Sequence, residues 1–373
     1  MVKVTKNKLI LYGITLFILL VISINIINIV EENFINYRKC KNRKINKALE
    51  FVLDKSMSNQ NEINWDLYLP CSYTKIEKEI STIDLKENQA VFGIGGTDLI
   101  ASKNLLYDIL KSKYGSNVTK FYPKSYIPNN EKDILRFEKD FRKDKSYIFK
   151  KNLQQQKGIE LSKNYNEILN TLKFNKNSVN IVQELLENPL IVGRRKINMR
   201  IYFLVICKGK SKKGYIFDDG FIYYTRKYYN KKILDFDHHI TTGYIERHVY
   251  ENNPLTHKDL YKKLDQENKG KSTELKNKIK CLMKNIFEAI SPYICNKSNL
   301  KKGSSFQLFG CDVAPDKNLN CKLIEINKGP DMGFKDDRDG GLKKSVMGSI
   351  FHLLDIDDDM KNKKYNNRFI SLN

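Results

Sequence analysis

The stretch FGCDVAPDKNLNCKLIEINKGP, Phe309 to Pro330, sets Asp312, Glu325 and Asn327 into what otherwise reads as a buried β-hairpin. Alternate residues of a strand share a face, so Glu325 and Asn327 project together while Ile324 and Ile326 point to the other side. With PDKNLN as a six-residue connection, Ala314 faces Cys321 and Asp312 faces Leu323, which places Asp312 on the Glu325 face. A slip by one residue would undo this arrangement. Two carboxylates and an amide form an oxygen-only set that suits Mg²⁺ shared with substrate phosphates, and no histidine stands nearby to suggest zinc. A solvent-facing polar strand face is the alternative, weakened by the apolar flanks FQLFG and CKLI.

A metal-bound phosphate needs cations and a base-binding edge, and the middle of the chain offers both. Lys150 ends the strand YIF and precedes a polar turn that reaches Gly158, a layout in which a lysine and backbone N–H groups close over phosphates. The stretch is not GxxxxGK[ST], so a P-loop NTPase is not supported. In VQELLENP, Gln183 and Glu184 stand beside Leu185 at a strand end, where main-chain and side-chain groups can meet an adenine edge. Arg200 lies inside the apolar β run KINMRIYFLVICKG, where an unpaired guanidinium would be costly.

The 373 residues allow two or three layers or small domains. Leu9 to Val30 is 22 residues without a charge, enough for one bilayer-spanning helix, and is read as an uncleaved anchor. A buried core helix is the alternative. Lys and Arg are denser after this segment than before it, which expects a single-pass membrane protein with a cytoplasmic body. Seven cysteines, with no CxxC pair, suggest neither a disulfide framework nor structural zinc, and fit a reducing compartment. The net charge of +23 favours an acidic partner, although Lys, Asn and Ile are abundant throughout. No helix-turn-helix or zinc pattern supports a sequence-specific DNA-binding protein, so nucleic acid is a poor candidate partner.

The expected organisation is a tail and transmembrane anchor over 1–37, a basic juxtamembrane linker over 38–63, a small α/β domain over 64–130, a central domain over 131–210, and a C-terminal domain over 211–373 with the hairpin. Within it, VTKFYPKSYIP reads as a strand, a turn is expected at Asp218 to Gly220, and Glu251 to Lys271 reads as an exposed loop.

Taken in order, GGTDLIASKNLL, FYPKSYI, YIFKKN with KGIEL, VQELLENPLIVGRRKINMRIYFLV, HHITTGY, and FQLFGCDV with LIEINKGP resemble the tubulin–tyrosine ligase-like family, over about residues 90–355. The resemblance implies an α/β (α+β) ATP-grasp fold and ATP with Mg²⁺ as cofactors. It assigns Lys150, Gly158, Ile159, Gln183, Glu184 and Leu185 to the nucleotide, and Lys196 and Arg200 to the γ-phosphate or the activated carboxylate. Asp312, Glu325 and Asn327 would hold the metal, with Arg200, Lys196 and Glu325 as the catalytic set. The implied reaction adds a free amino acid of the tyrosine, glutamate or glycine type to a protein carboxylate through an acyl-phosphate. An acidic acceptor peptide such as a tubulin tail fits the basic chain. Departures from the family pattern are Lys151 for proline, Asn198 for aspartate, Tyr223 for arginine and Thr242 for asparagine. They leave open a second reading, a degenerate membrane-anchored protein that binds an acidic partner.

Overall fold

The computed structural model describes residues 35–53, 65–151, 158–175, 178–243, 245–354 and 367–373. The apolar segment Leu9 to Val30 lies outside them. Among the described residues, no helix is long and apolar enough to cross a membrane.

The strands are β1 (Tyr37–Lys39), β2 (Leu67–Leu69), β3 (Ala90–Val91), β4 (Ser125–Tyr126), β5 (Tyr147–Lys151), β6 (Ile159–Ser162), β7 (Val179–Glu184), β8 (Ile191–Val192), β9 (Arg195–Lys208), β10 (Ser211–Thr225), β11 (Thr241–Thr242), β12 (Ser304–Pro315), β13 (Cys321–Asn327) and β14 (Phe369–Ser371). The main sheet runs β1-β2-β3-β12-β9-β10-β11, with β13 on β12, β8 on β9 and β14 on β10. The neighbours β1, β2, β3 and β12 are parallel, while β12, β9 and β10 alternate in direction. A second sheet, β4-β7-β5-β6, carries the helices Glu131–Asp140 and Tyr165–Phe174 on a small core of its own around Phe137, Tyr147 and Phe149. The mixed α/β layout follows from β-branched and aromatic runs alternating with helical periodicity.

The domain boundaries expected from composition move. Residues 35–53 are not a linker: β1 extends the main sheet, and Ile35, Ala48, Leu49 and Val52 join the same core as Phe351. Within 65–130, β2 and β3 belong to the main sheet and Ile100, Leu106, Tyr107 and Tyr122 to its core, whereas β4 joins the second sheet, and Trp65, Ile76 and Ile80 form a smaller cluster with Leu300. Contacts distant in sequence decide both points, and composition does not report them.

Other expectations change for local reasons. Of VTKFYPKSYIP, only Ser125–Tyr126 is a strand, and Gly115–Lys120 is a 3₁₀ turn. At Asp218 to Gly220 the strand does not turn; β10 continues through an irregularity in its pairing with β9 between Ile216 and Gly220. The Lys-rich stretch after Glu251 contains a helix, His257–Glu267, closed by a capping box between Thr256 and Asp259. It buries His257, Leu260, Tyr261 and Leu264, an i, i+3, i+4, i+7 pattern masked by the surrounding lysines. Two cysteine pairs also meet as disulfides, Cys40–Cys71 and Cys207–Cys295, with Cα–Cα distances of 4.9 and 6.2 Å. Cys40 and Cys71 follow the parallel neighbours β1 and β2, a juxtaposition that spacing along the chain does not reveal.

Candidate active site

The β12–β13 hairpin is tighter than its sequence suggests. Pro315 pairs with Cys321, and the Asp316 carboxylate accepts the N–H groups of Asn318 and Asn320 to close the connection. Val313 faces Leu323, but Asp312 faces Glu325, so Ile324 is an extra residue in a β-bulge. The expected pairs Ala314–Cys321 and Asp312–Leu323 are therefore replaced. The carboxylates still meet, because the bulge inserts the one residue that the shorter connection removes. Ile324 is half-buried like Glu325, while Ile326 is buried, so strict alternation resumes only after the bulge.

On β9, Lys196, Asn198 and Arg200 alternate with the buried Ile197, Met199 and Ile201. Arg200 is the register partner of Asp312, so Arg200, Asp312 and Glu325 form one row across three strands. Arg200 Nε donates to Asp312 Oδ1 at 2.7 Å, and Nη2 donates to Oδ2 at 3.3 Å. Gly310 makes room for this: a Cβ there would stand 2.8 Å from Arg200 Nη1 and 3.1 Å from Pro330. Asn327 Nδ2 donates to Glu325 Oε1 at 3.0 Å, and Lys103 Nζ lies 3.5 Å from Glu325 Oε2.

The second sheet contributes Lys150, on β5 next to Ile181 of β7. Lys150 and Lys196 are each only 6% exposed, and neither side chain has a hydrogen-bond or ion-pair partner among the described residues. Burial lowers both ammonium pKa values to about 8; for Lys150 the Glu325 charge opposes the fall, and Lys103 and Lys196 deepen it. Burial pushes the Asp312 carboxyl up to about 6 against the Arg200 guanidinium, helped by the adjacent Glu325 charge. Burial acts to raise Glu325 too, but Lys103, Lys150 and the Asn327 amide outweigh it and hold this carboxyl below its ordinary value.

The adenine-edge candidates lie at the end of β7. Gln183 is fully buried; its Nε2 donates to Ser125 Oγ at 2.8 Å, and its Oε1 has no partner among the described residues. Glu184 is half-buried, 3.7 Å from Lys124 Nζ. The Leu185 N–H donates to Ser146 O at 2.8 Å, so this donor is already used within the fold. Gly158, at φ +73°, closes the β5–β6 hairpin opposite Lys151, and Ile159 pairs with Lys150. The intervening 152–157 lie outside the described residues.

Two neighbours did not emerge from sequence as site residues. Lys103 opens the helix Lys103–Tyr114, and nothing in its local pattern marks it out from the other lysines of that helix. The Tyr223 ring lies 5.0 Å from the Arg200 guanidinium carbon, a cation–π contact where the family pattern has arginine. The buried Asn198 Oδ1 has no partner among the described residues.

Chemically, this is a pair of close carboxylates held by two cations, Arg200 and Lys103, with two further buried ammonium groups, Lys150 and Lys196, unpaired among the described residues. Hard oxygens brought together against their own repulsion fit a divalent cation, and unpaired buried lysines fit a polyanion. The orphaned Gln183 and Asn198 oxygens are acceptors that a bound molecule can satisfy.

The sequence profile of the Tubulin-tyrosine ligase family matches residues 82–363. Tubulin glycylase 3D of Tetrahymena thermophila is 27% identical over 206 residues, 53% of this chain and 20% of that protein. The probable tubulin polyglutamylase ttll-9 of Caenorhabditis elegans is 26% identical over 262 residues, 66% of this chain and 62% of that protein. Tubulin glycylase 3B of Drosophila melanogaster is 25% identical over 210 residues, 52% of this chain and 27% of that protein. The chain thus spans between a fifth and three fifths of the length of these relatives. With more than half of its own length matched by the family profile, this chain belongs to the tubulin-tyrosine ligase family.

Proposed function

We propose that this chain is an ATP- and Mg²⁺-dependent ligase that joins a free amino acid to a carboxylate of an acidic acceptor protein, with tubulin the leading candidate. The observation that carries the reading is the pair of buried, unpaired ammonium groups, Lys150 and Lys196, beside the Asp312–Glu325 carboxylates. A membrane anchor in residues 9–30 belongs to the same proposal and rests on the uncharged sequence of that segment.

Asp312, Glu325 and Asn327 would hold Mg²⁺, which supplies charge neutralisation on the phosphates when bound. Lys150 and Lys196 bind the triphosphate and recover the electrostatic partner that burial denies them. Arg200 is held in place by Asp312 below and Tyr223 above, so its guanidinium is oriented before substrate arrives. In the reaction, an acceptor carboxylate oxygen bonds to the γ-phosphorus and ADP leaves. The donor amine then bonds to the acyl carbon, phosphate leaves, and the amine gives up a proton. Relatives named as tubulin glycylases and polyglutamylases support this reaction class.

The test is the thermal stabilisation of the full chain by Mg·ATP, followed by ADP release and the mass of an acidic acceptor peptide in the presence of single amino acids. Glu325→Gln is expected to remove the Mg²⁺ dependence of nucleotide binding. Stabilisation that is the same in both proteins refutes the site. The alternative, a degenerate binder, is favoured by Tyr223 and Asn198 at positions where the family pattern has charged residues. It predicts salt-sensitive association with acidic peptides and no ADP.

A further inference from the structure

One register row crosses most of the main sheet: Tyr37, Leu67, Ala90, Ser304 and Lys208 are successive partners, and Ser211 follows Lys208 on β10. The parallel strands β1, β2, β3 and β12 all begin at this end. The first described residue, Ile35, is buried in the core at this end. Val30, the last residue of the uncharged segment, is five residues earlier, a reach of at most ~18 Å even when fully extended. An anchor in residues 9–30, as the proposed function has it, would tie the bilayer to this end of the sheet.

The same end is strongly basic. Lys208, Lys210 and Lys213 flank the β9–β10 turn, and Lys301 and Lys302 lead into β12. All five are exposed, and none of their side chains has an ion-pair or hydrogen-bond partner among the described residues. Lys212 stands beside them, its Nζ donating to Ser291 O at 2.7 Å, and burial and then the nearby Lys301 charge lower its pKa. The acidic groups of this end are fewer; Asp66 accepts the Asn36 N–H, and Asp84 and Glu87 are exposed. A cavity of about 250 Å³ on the neighbouring surface is lined by Arg38, Lys86 and Trp65, the only tryptophan of the chain. The Arg200–Asp312–Glu325 row lies eight residues further along β12, about 26 Å away at ~3.3 Å per residue.

We infer that the lysine-bearing end of the main sheet, Lys208, Lys210, Lys213, Lys301 and Lys302, docks on an anionic lipid surface and holds the catalytic cleft at the far end, directed away from the bilayer. The inference rests on the membrane-anchor part of the proposed function and not on its ligase part. A cluster of cations with no protein partner, placed within reach of the segment that would enter the bilayer, meets the negative potential of acidic headgroups. The acceptor would then be a peptide that rises some 25–30 Å from the membrane, not a group lying on it.

The experiment places the full chain in nanodiscs of phosphatidylcholine, with or without 30% phosphatidylserine, and maps lysine acetylation by mass spectrometry. The expected result is at least fivefold protection of the five lysines in the anionic discs, reversed by 0.5 M salt, with Lys317 on the opposite hairpin unchanged. In a variant with all five changed to glutamate, Lys86 is expected to lose its own protection. Equal labelling in both discs overturns the inference, as does recovery of the chain outside the discs. Protection by a soluble acidic polymer without lipid, and not by the anionic discs, overturns it in favour of a macromolecular partner. Mg·ATP stabilisation measured on the same sample reports separately on the ligase reading.

Discussion

The Lys150→Met substitution separates stability from function. The Lys150 ammonium carries its charge at pH 7 although burial has lowered its pKa from 10.5 to about 8. At 1.36 kcal/mol per pH unit, holding that charge in the unliganded fold costs about 3 kcal/mol. Methionine has a similar length and no charge, so the substitution removes this penalty. Part of the gain is offset at Glu325, which loses one cation but keeps Lys103 and the Asn327 amide. A net stabilisation of about 1–3 kcal/mol remains, a rise of roughly 1–4 °C in melting temperature for a chain of this size. The same substitution removes a partner of the triphosphate, so stabilisation by Mg·ATP is expected to disappear. The pH dependence supplies a second check. The folded pKa lies below the unfolded one, so between pH 8 and 10.5 the unfolded chain holds a proton that the fold has released, and stability rises with pH. Lys150→Met is expected to flatten that rise, leaving the share due to Lys196. Scanning calorimetry at pH 7 and pH 9.5, with and without Mg·ATP, reads all three quantities. A variant that melts below the parent at pH 7, or keeps the full Mg·ATP stabilisation, refutes the reasoning.

Other substitutions address the frame around the site. His257 is buried with its Nε2 unpartnered, and burial lowers its pKa to about 3. It takes a proton in the unfolded chain but not in the fold, so stability should fall as pH drops from 6.5 towards 3, by about 5 kcal/mol in total. His257→Gln should weaken that acid dependence, as measured by urea unfolding at pH 7 and pH 5. Gly310→Ala places a methyl group against the Arg200 guanidinium and Pro330, and should push Arg200 off Asp312. Mg·ATP affinity is expected to fall at least tenfold by calorimetric titration with little loss of helical signal, and unchanged affinity would show that the Arg200–Asp312 contact is dispensable. Disulfide reduction, followed by intact-mass alkylation counts, should release four additional thiols from Cys40, Cys71, Cys207 and Cys295, beyond Cys281, Cys311 and Cys321.

Local pattern was enough for some of the site. Alternation in the hairpin already placed Glu325 and Asn327 on one face, because the two-residue period of a strand is written directly into its side chains, whereas Lys196 came only from the family resemblance. The pairing of Asp312 with Glu325 on one hairpin face was legible in part, and so was the strand that carries Lys150. Other features depended on contacts far apart in the chain. The bulge at Ile324 brings Glu325 opposite Asp312, and it arises from strand pairing that no single strand encodes. Lys103 meets Glu325 across more than two hundred residues, and local sequence does not distinguish it from neighbouring lysines. The burial of Lys150 and Lys196, from which the electrostatics follow, exists only where two sheets close over them. The uncharged segment, the basic bias and the identity of each candidate ligand reside in the linear chain, since they are properties of residue type and short spacing. Which charges lose their water, which carboxylates are forced together, and which end of the sheet gathers unpaired lysines were decided by packing, because desolvation and Coulomb interaction depend on distance in space.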